Sequence, residues 1–349
     1  MRWGGNTGSR SSSILIGEII MWPASEVEGQ LHKSLNHWDI KLSNFKLLSE
    51  ETNILYLINT VEEEKYVLRL TNPWSCHGPD EVEAELQWLL ALRRDCDIPL
   101  REPIVTPSGK RFIQIDGPSK DESYLATVFR FVEGQELGDN MSLQSAERWG
   151  KLTATLHRHA ATLPIPEGLK LRQARSTFTY CEPEFPIVEE ELITKVNPEL
   201  GVTAERAARY AELARQMDEE IQSLWDTQEP PRLIHNDLHP WNILIHNEEL
   251  IPIDFEDLQV GYPIQDIAVA LFYVAWDERG PELVQHFRRG YEELEPWPEQ
   301  HPKQLQRLML TRNLALMNFL MNAPDAKTRA QTPGYLDRMD ARLEASDAW

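Results

Sequence analysis

The chain has 349 residues, of which 35 are basic and 56 acidic, giving a formal net charge of −21. This excess of negative charge argues against binding of nucleic acid or of an anionic membrane through a basic face. Hydrophobic residues make up 41% of the chain, so its length and composition fit two lobes with a substantial core.

The cysteines and the N-terminal segment bear on the compartment. Cys76, Cys96 and Cys181 lie far apart in the sequence, without the paired spacing of a metal site or a disulfide framework. This predicts that the protein resides in the reducing cytoplasm. Residues 1–22 are interpreted as an N-terminal extension whose Gly/Ser-rich first part is disordered. Its apolar stretch, residues 14–22, is too short to span a bilayer and lacks a signal-peptide cleavage pattern, so no membrane association is expected.

The first part of the chain alternates strands and turns. A short amphipathic helix is expected over residues 26–38, and a leucine stripe with acids in the first turn predicts a helix over 80–94. Runs of β-forming residues separated by polar turns predict a meander of strands. These strands are expected at residues 41–48, 54–60, 66–70, 111–115 and 124–132.

The second part is mainly helical, with an irregular acidic stretch between residues 164 and 200. Thr203 is a good N-cap for a helix over 204–225. Apolar periodicity predicts further helices, the first of them buried. They are expected at residues 142–159, 267–276, 282–294, 301–321 and 335–345. The pattern as a whole predicts an α+β protein without internal repeats.

The most informative stretch contains His235, Asp237 and Asn242, followed after a short acidic break by Asp254. Phosphoryl transfer from ATP needs a carboxylate that orients and deprotonates the acceptor hydroxyl. It also needs an amide oxygen and a second carboxylate that hold Mg²⁺ against the phosphates, since Mg²⁺ takes hard oxygen ligands and rarely an all-protein cage. The stretch therefore predicts a kinase-type site with ATP and Mg²⁺.

An alternative is that His235, Asp237 and His239 bind zinc on a strand. A zinc hydrolase would need further ligands elsewhere, and it would leave Asn242 and Asp254 unexplained. We expect His239 to be a buried structural histidine. We expect His235, grouped with Asp237 among the candidate catalytic residues, to brace the loop backbone.

Residues 235–242 resemble the catalytic loop of the aminoglycoside phosphotransferase and choline kinase superfamily, His-Gly-Asp-x-His-x-x-Asn, with Asn236 in place of the usual Gly. Asp254 begins Asp-Phe-Glu rather than the Asp-Phe-Gly of protein kinases. Residues 261–268 resemble the family's Gly-x-Pro-x-x-Asp-Leu-Ala segment, whose Asp (here Asp266) normally braces the loop. Three motifs in this order are a strong signal.

The resemblance implies a bilobal protein-kinase-like fold. Residues 23–131 would form a small β-rich N-lobe that binds the nucleotide, and 132–349 a larger helical C-lobe for catalysis and acceptor binding. Asp237 would be the catalytic base, and Asn242 and Asp254 the Mg²⁺ ligands.

On the nucleotide side, the resemblance places Arg69 where such kinases usually carry a phosphate-binding Lys on the third strand. A guanidinium can bridge phosphate and carboxylate in a bidentate way, although it is bulkier than an ammonium group. Glu81, Glu83 and Glu85 are all candidates to pair with it. Glu85 is preferred, because the Glu-Leu-Gln-Trp-Leu stretch resembles the family's helix around its pairing Glu.

The loop over the phosphates and the hinge are also assigned by resemblance. Residues 49–53 lack a Gly-x-Gly-x-x-Gly pattern and resemble the superfamily's Ser/Asn-containing version, in which Ser49 and Asn53 would donate to phosphate oxygens. Residues 129–134 resemble the hinge between lobes. Phe131 and Val132 would there present backbone groups to the adenine.

The acceptor is expected to be a small-molecule hydroxyl compound, such as an aminoglycoside, an amino alcohol or a homoserine-like molecule. An acidic wall between residues 182 and 191 would suit a cationic acceptor. Two alternatives are a bacterial Ser/Thr protein kinase of the stress-response type and a nucleotide-binding pseudokinase. Arg69 favours the pseudokinase, whereas the intact set of Asp237, Asn242 and Asp254 argues against it. The sequence leaves the oligomeric state open.

Overall fold

The structure, a computed structural model, describes most of the chain: residues 22, 24–50, 53–71, 77–117, 123–179, 190–276, 278–323 and 326–345. The expectations for the N-terminal extension before Trp22, for Cys76 and Cys181, and for the acidic residues 182–189 lie outside the described residues.

A five-stranded antiparallel sheet in the order β1-β2-β3-β5-β4 forms the first lobe. Its strands are β1 (Leu42–Glu50), β2 (Asn53–Thr60), β3 (Lys65–Thr71), β4 (Ile113–Asp116) and β5 (Ser123–Arg130). Helix α1 (Ala24–Leu35) packs on one face, and helix α2 (Pro79–Asp95) belongs to the core on the other.

The alternation of side chains along β3 orients Arg69. Leu68 and Leu70 pack in the cluster that contains α1, whereas Val67 packs in the cluster that contains α2. Because successive side chains of a strand point to opposite faces, Arg69 shares the α2 face with Val67.

The second lobe is mainly helical. Its long helices are α3 (Leu143–Thr162), α4 (Ala204–Trp225), α5 (Pro263–Phe272), α6 (Gly280–Glu292), α7 (Gln304–Asn322) and α9 (Thr332–Ala345), with the short α8 (Ala326–Arg329) before the last. Small antiparallel sheets frame the catalytic loop between them. They are built from β6 (Gln135–Glu136), β7 (Arg232–Ile234), β8 (Ile243–His246), β9 (Glu249–Pro252) and β10 (Gln259–Gly261).

The predicted α+β, bilobal class is confirmed, and the differences lie at element boundaries. The Thr203 hydroxyl accepts from the Arg206 N–H, as expected of an N-cap. The helix predicted over 267–276 instead begins at Pro263, since proline fits the first turn of a helix. The strand predicted to reach Val132 ends at Arg130. Across the described ranges, no helix is both long and apolar enough to cross a bilayer.

Helices α3 and α6 approach closely enough for their backbones to touch. A Cβ added at Gly290 would lie 1.7 Å from the Glu147 carbonyl oxygen, and one at Gly150 would lie 1.8 Å from that of Phe287. Only glycine fits at both positions. This crossing affects the site because α3 also carries His157, which bonds Asp266, the residue predicted to brace the catalytic loop.

We expect Gly290→Ala to lower the free energy of unfolding by at least about 2 kcal/mol, because the added methyl group forces the two helices apart. Urea denaturation monitored by circular dichroism would measure it. Gly29→Ala in α1 is the matched control, since nothing lies within 4 Å of its added Cβ. This control should be neutral or stabilising by up to about 1 kcal/mol. Equal losses in both variants would contradict the close approach.

Candidate active site

The catalytic loop follows β7 and requires unusual backbone geometry. Asn236 has φ 62° and Asp254 has φ 66°, both in the left-handed region. Glycine, asparagine and aspartate adopt this region more readily than other residues. Asparagine at position 236 can therefore adopt the left-handed conformation that this loop requires.

Asp266, near the start of α5, holds this loop in place. Its Oδ1 accepts from the Asn236 N–H at 2.6 Å, and its Oδ2 accepts from the His235 N–H at 3.1 Å. His157 of α3 bonds the same Oδ2 at 2.9 Å, and its other ring nitrogen bonds the Tyr291 hydroxyl at 2.9 Å. Although burial opposes ionisation, the hydrogen bond from His157, the charge of the histidines and the loop N–H lower the pKa of Asp266.

The Asp237 carboxylate faces the cleft and has partners on both oxygens. Oδ2 accepts from the Asn242 side-chain amide at 2.9 Å, and His239 Nε2 lies 3.5 Å from it. Oδ1 accepts from Arg312 of α7 at 2.7 Å. Burial raises the pKa of Asp237 well above its ordinary value, and the charge of Arg312 opposes that rise. A carboxylate with raised proton affinity, fixed at the edge of a cleft, is suited to accept a hydroxyl proton.

The two loop histidines are turned to the protein. His235 is fully buried; its Nε2 bonds the Ile253 carbonyl at 3.2 Å and its Nδ1 accepts from the Asp237 N–H at 3.4 Å. His239 accepts from the Trp241 N–H, and burial lowers its pKa to about 3. In the described ranges no group of three or more His, Cys, Asp or Glu side chains is arranged to hold a metal ion by itself. His235 thus contacts the backbone N–H of Asp237 and not its carboxylate.

Asn242 and Asp254, the predicted metal ligands, each have a side-chain oxygen without a hydrogen-bond partner in the described part of the chain. The Asn242 amide nitrogen donates to the Asp237 carboxylate and to the Asp237 carbonyl, which leaves the amide oxygen for another partner. The Asp254 side chain is exposed to the cleft, and within the described part of the chain nothing hydrogen-bonds its carboxylate. Desolvation by the surrounding protein and the negative charge of Glu256 raise the pKa of Asp254. A cation held with phosphate oxygens and water would relieve that repulsion.

Arg69 and Glu85 form a buried bidentate ion pair, in which Nη1 donates to Oε1 at 2.9 Å and Nη2 donates to Oε2. Arg69 Nη1 also lies 3.8 Å from Glu256 Oε2. The Glu256 carboxylate accepts from the Asn53 side chain, so the start of β2 is tied to the loop after β9. Burial, partly opposed by Arg69, raises the pKa of Glu256 to about 7.

The other predicted nucleotide contacts lie around this pair. Ser49 is half-exposed near the end of β1, and residues 51 and 52, which precede Asn53, are outside the described ranges. Phe131 donates its N–H to the Lys65 carbonyl at 3.1 Å, so this N–H already has a partner. Val132 lies in the irregular backbone between β5 and β6.

Sequence reasoning missed three charged residues of the site. Arg312 lies within the helix predicted over residues 301–321 from its apolar pattern. A basic residue that interrupts this pattern is all that the sequence offers to identify it. Glu256 is part of the Asp-Phe-Glu motif but was given no role of its own. Arg101 precedes the stretch that runs beside β5, and desolvation lowers its pKa while the charge of Asp254 opposes that change. No local pattern identifies it.

We expect Asp266→Asn to lower the free energy of unfolding at pH 7 by about 3 kcal/mol, because a buried network loses its charged acceptor. The folded-state pKa of Asp266 lies below its ordinary 3.8, so its stabilisation is complete above pH 3.8 and is lost as the pH falls towards the folded-state value. Denaturation at pH 3, 4, 5 and 7 would measure this. Asp116→Asn, at an exposed position on β4, is the control. A wild-type acid dependence retained in Asp266→Asn would contradict the assignment.

Comparison with known proteins agrees with this geometry. The family model described as the phosphotransferase enzyme family matches residues 22–302. Hydroxylysine kinase of Bos taurus is 23% identical over 253 residues, which is 68% of this chain and 65%, just under two thirds, of that protein.

Two solved structures extend the comparison. That of a microcompartment-associated aminopropanol kinase has a TM-score of 0.74 at 23% identity, covering 90% of this chain and 97% of that one. That of an amicoumacin kinase in complex with AMP-PNP, Ca²⁺ and Ami has a TM-score of 0.72 at 19% identity, covering 93% and 96%.

A kinase-like fold with this constellation of carboxylates and amide defines a phosphotransferase. The chain belongs to the phosphotransferase enzyme family, because the family model matches most of its length. The predicted family and the predicted class of enzyme are therefore confirmed.

Proposed function

We propose that this phosphotransferase transfers the γ-phosphoryl group of ATP, with Mg²⁺, to the hydroxyl group of a small amine-bearing molecule. The observation that carries the proposal is the placement of three groups at one edge of the cleft. These are the Asp237 carboxylate and the Asn242 amide, on the loop that Asp266 braces, and the open Asp254 carboxylate on the segment after β9.

The reaction follows from these positions. The acceptor hydroxyl gives its proton to Asp237 while its oxygen bonds the γ-phosphorus; the bond from that phosphorus to the β–γ bridging oxygen breaks, and ADP leaves. Mg²⁺, held by Asn242 and Asp254, would neutralise phosphate charge. Arg69, kept in place by Glu85, would orient the phosphates from the N-lobe side. Positioning and charge compensation supply most of the rate in such a site.

The proposed nucleotide site lies between residues 23–131 and the lobe formed by 132–349. Ser49, near the end of β1, and Asn53, at the start of β2, would donate to the phosphates, and the hinge at Phe131 and Val132 would meet the adenine. The amicoumacin kinase structure, with AMP-PNP and Ca²⁺, supports nucleotide binding together with a divalent cation in this fold.

An amine on the acceptor is supported by charge and by the relatives. Glu190 and Glu191 are exposed, and Asn318 and Asn322 of α7 hold the backbone of Glu190. Two relatives are named as kinases of hydroxylysine and of aminopropanol, and both compounds carry an amine and a hydroxyl group. Relatives of this kind favour a small-molecule acceptor over a protein. We place the enzyme in the cytoplasm on the evidence of its cysteine spacing.

We expect Asp237→Asn to lower kcat by about 10²- to 10⁴-fold, because the amide cannot accept the hydroxyl proton. ADP release would be measured with MgATP and a panel of amino alcohols, hydroxy amino acids and aminoglycosides. Nucleotide affinity, measured by calorimetry, should change little.

Asp226→Asn, at the exposed end of α4, is the control and should keep wild-type turnover. Wild-type turnover in Asp237→Asn would refute the role of the base. Nucleotide binding without turnover of any acceptor by the wild type would favour a pseudokinase.

A further inference from the structure

Arg312 reaches from α7 to the proposed base. Its Nη2 lies 2.7 Å from Asp237 Oδ1 and 3.0 Å from the Tyr273 hydroxyl oxygen, and its side chain is 17% exposed. A guanidinium is charged at every relevant pH and has five N–H donors in one plane. It can therefore bond Asp237 and a second anion together. In the proposed reaction Arg69 of the first lobe orients the phosphates, so Arg312 of the second lobe is available for another role.

A small cavity of about 70 Å³ adjoins Arg312. One wall is a face of α7, where Leu308, Thr311, Arg312 and Ala315 recur at helical spacing. Asn236 of the catalytic loop lines it as well, so the cavity begins beside the base. Among its described lining residues Arg312 is the one charged side chain, and none is acidic. The charge that a ligand meets in this cavity is therefore the guanidinium of Arg312, which favours a negatively charged ligand group.

The hydroxyl of Thr177 supplies a second, independent indication of a ligand. Thr177 is 3% exposed and lines the same cavity, and its Oγ1 has no hydrogen-bond partner in the described part of the chain. Its backbone N–H donates to Asp218 at 2.7 Å, which fixes the residue. Leaving a buried hydroxyl unpaired is unfavourable, so the position marks where a polar group of a ligand would bind.

We propose that the acceptor carries a carboxylate that binds Arg312 and Thr177 in this cavity while its hydroxyl lies against Asp237. This inference rests on the proposed function, in which Asp237 is the base. Combined with the amine proposed above, it identifies the acceptor class as a hydroxy amino acid. The volume suits a carboxylate with its first carbon atoms. Larger acceptors would leave their remaining atoms in the open cleft.

Because Arg312 is paired with Asp237, the carboxylate of the acceptor would also change the contacts of the base. With no acceptor bound, the guanidinium occupies Asp237 Oδ1, one of the two oxygens of the base. An incoming carboxylate competes for the same N–H donors. It thereby loosens the hold on Oδ1 as the acceptor hydroxyl arrives. An acceptor without the carboxylate leaves Asp237 engaged by Arg312.

The test uses pairs of acceptors that differ only in the carboxylate: L-threonine with 1-amino-2-propanol, L-homoserine with 3-amino-1-propanol, and 5-hydroxylysine with 1,5-diamino-2-pentanol. For each pair, kcat/KM would be measured by ADP release with MgATP, and binding to the nucleotide-free protein by calorimetry. We expect the wild type to prefer the carboxylate-bearing member of at least one pair by about 10- to 100-fold, as for a charge-assisted contact.

Variants of the cavity residues would show whether the preference for carboxylate-bearing acceptors depends on this cavity. Arg312→Met should abolish the preference within the pair, and Arg312→Lys should keep part of it. Thr177→Val, which removes the hydroxyl at nearly constant volume, should reduce the preference by about 3- to 10-fold. Arg307→Met is the matched control, because Arg307 lies on the same helix but pairs with Glu220 outside the cavity. The control should keep the wild-type preference.

Equal or greater kcat/KM for the decarboxylated members would overturn the inference and leave the phosphotransferase proposal intact. Failure of every carboxylate-bearing member to bind would overturn it as well. A preference unchanged in Arg312→Met would remove Arg312 from the site and so reject it. Conversely, Arg312-dependent binding of a hydroxy amino acid without ADP formation would support the carboxylate site and count against the proposed reaction.

Discussion

The arrangement of the site depends on one buried carboxylate. Asp266 accepts hydrogen bonds from two successive backbone N–H groups of the catalytic loop and from His157 of the neighbouring helix. Without this acceptor, a loop with left-handed Asn236 would have unpaired buried N–H groups, which folded proteins avoid. The direction of the Asp237 carboxylate, and with it the contacts of Asn242 and Arg312, follows from that anchoring.

The dependence extends into the C-lobe core. His157 is held against Asp266 by α3, and α3 is held against α6 where Gly150 and Gly290 let their backbones meet. Tyr291, one residue beyond Gly290, returns to His157 through its hydroxyl. The helices behind the loop thus limit its movement, as preorganised catalysis requires.

Sequence reasoning was most successful where function depends on local order. The catalytic loop and the Asp254 segment lie within about two dozen residues, so their residue types, spacing and family resemblance together predict the chemistry. The pairing of Arg69 with Glu85, observed in the structure, was inferred from resemblance and from helix position. Strand and helix positions followed periodicity to within a few residues, and the boundaries shifted where proline or sheet pairing decided them.

Long-range contacts made by single side chains were not predictable in the same way. Arg312 lies 75 positions after Asp237, on a helix most of whose residues are buried, and no periodicity shows which residue of a helix turns towards a cleft. Arg101 and Thr177 lie in irregular segments without a repeating pattern. Their roles depend on three-dimensional placement, for which one sequence contains no direct signal.

The hydrogen bond between Asn53 and Glu256 joins the first residue of β2, an inner strand of the five-stranded sheet, to the segment after β9, 203 positions further along the chain. Glu256 is also the acid closest in sequence to Asp254 and a neighbour of Arg69. One side chain therefore contacts the start of β2, lies beside Arg69 and stands two residues after the proposed metal ligand Asp254. The sheet of the first lobe and the segment that carries Asp254 are thus linked through a single buried carboxylate.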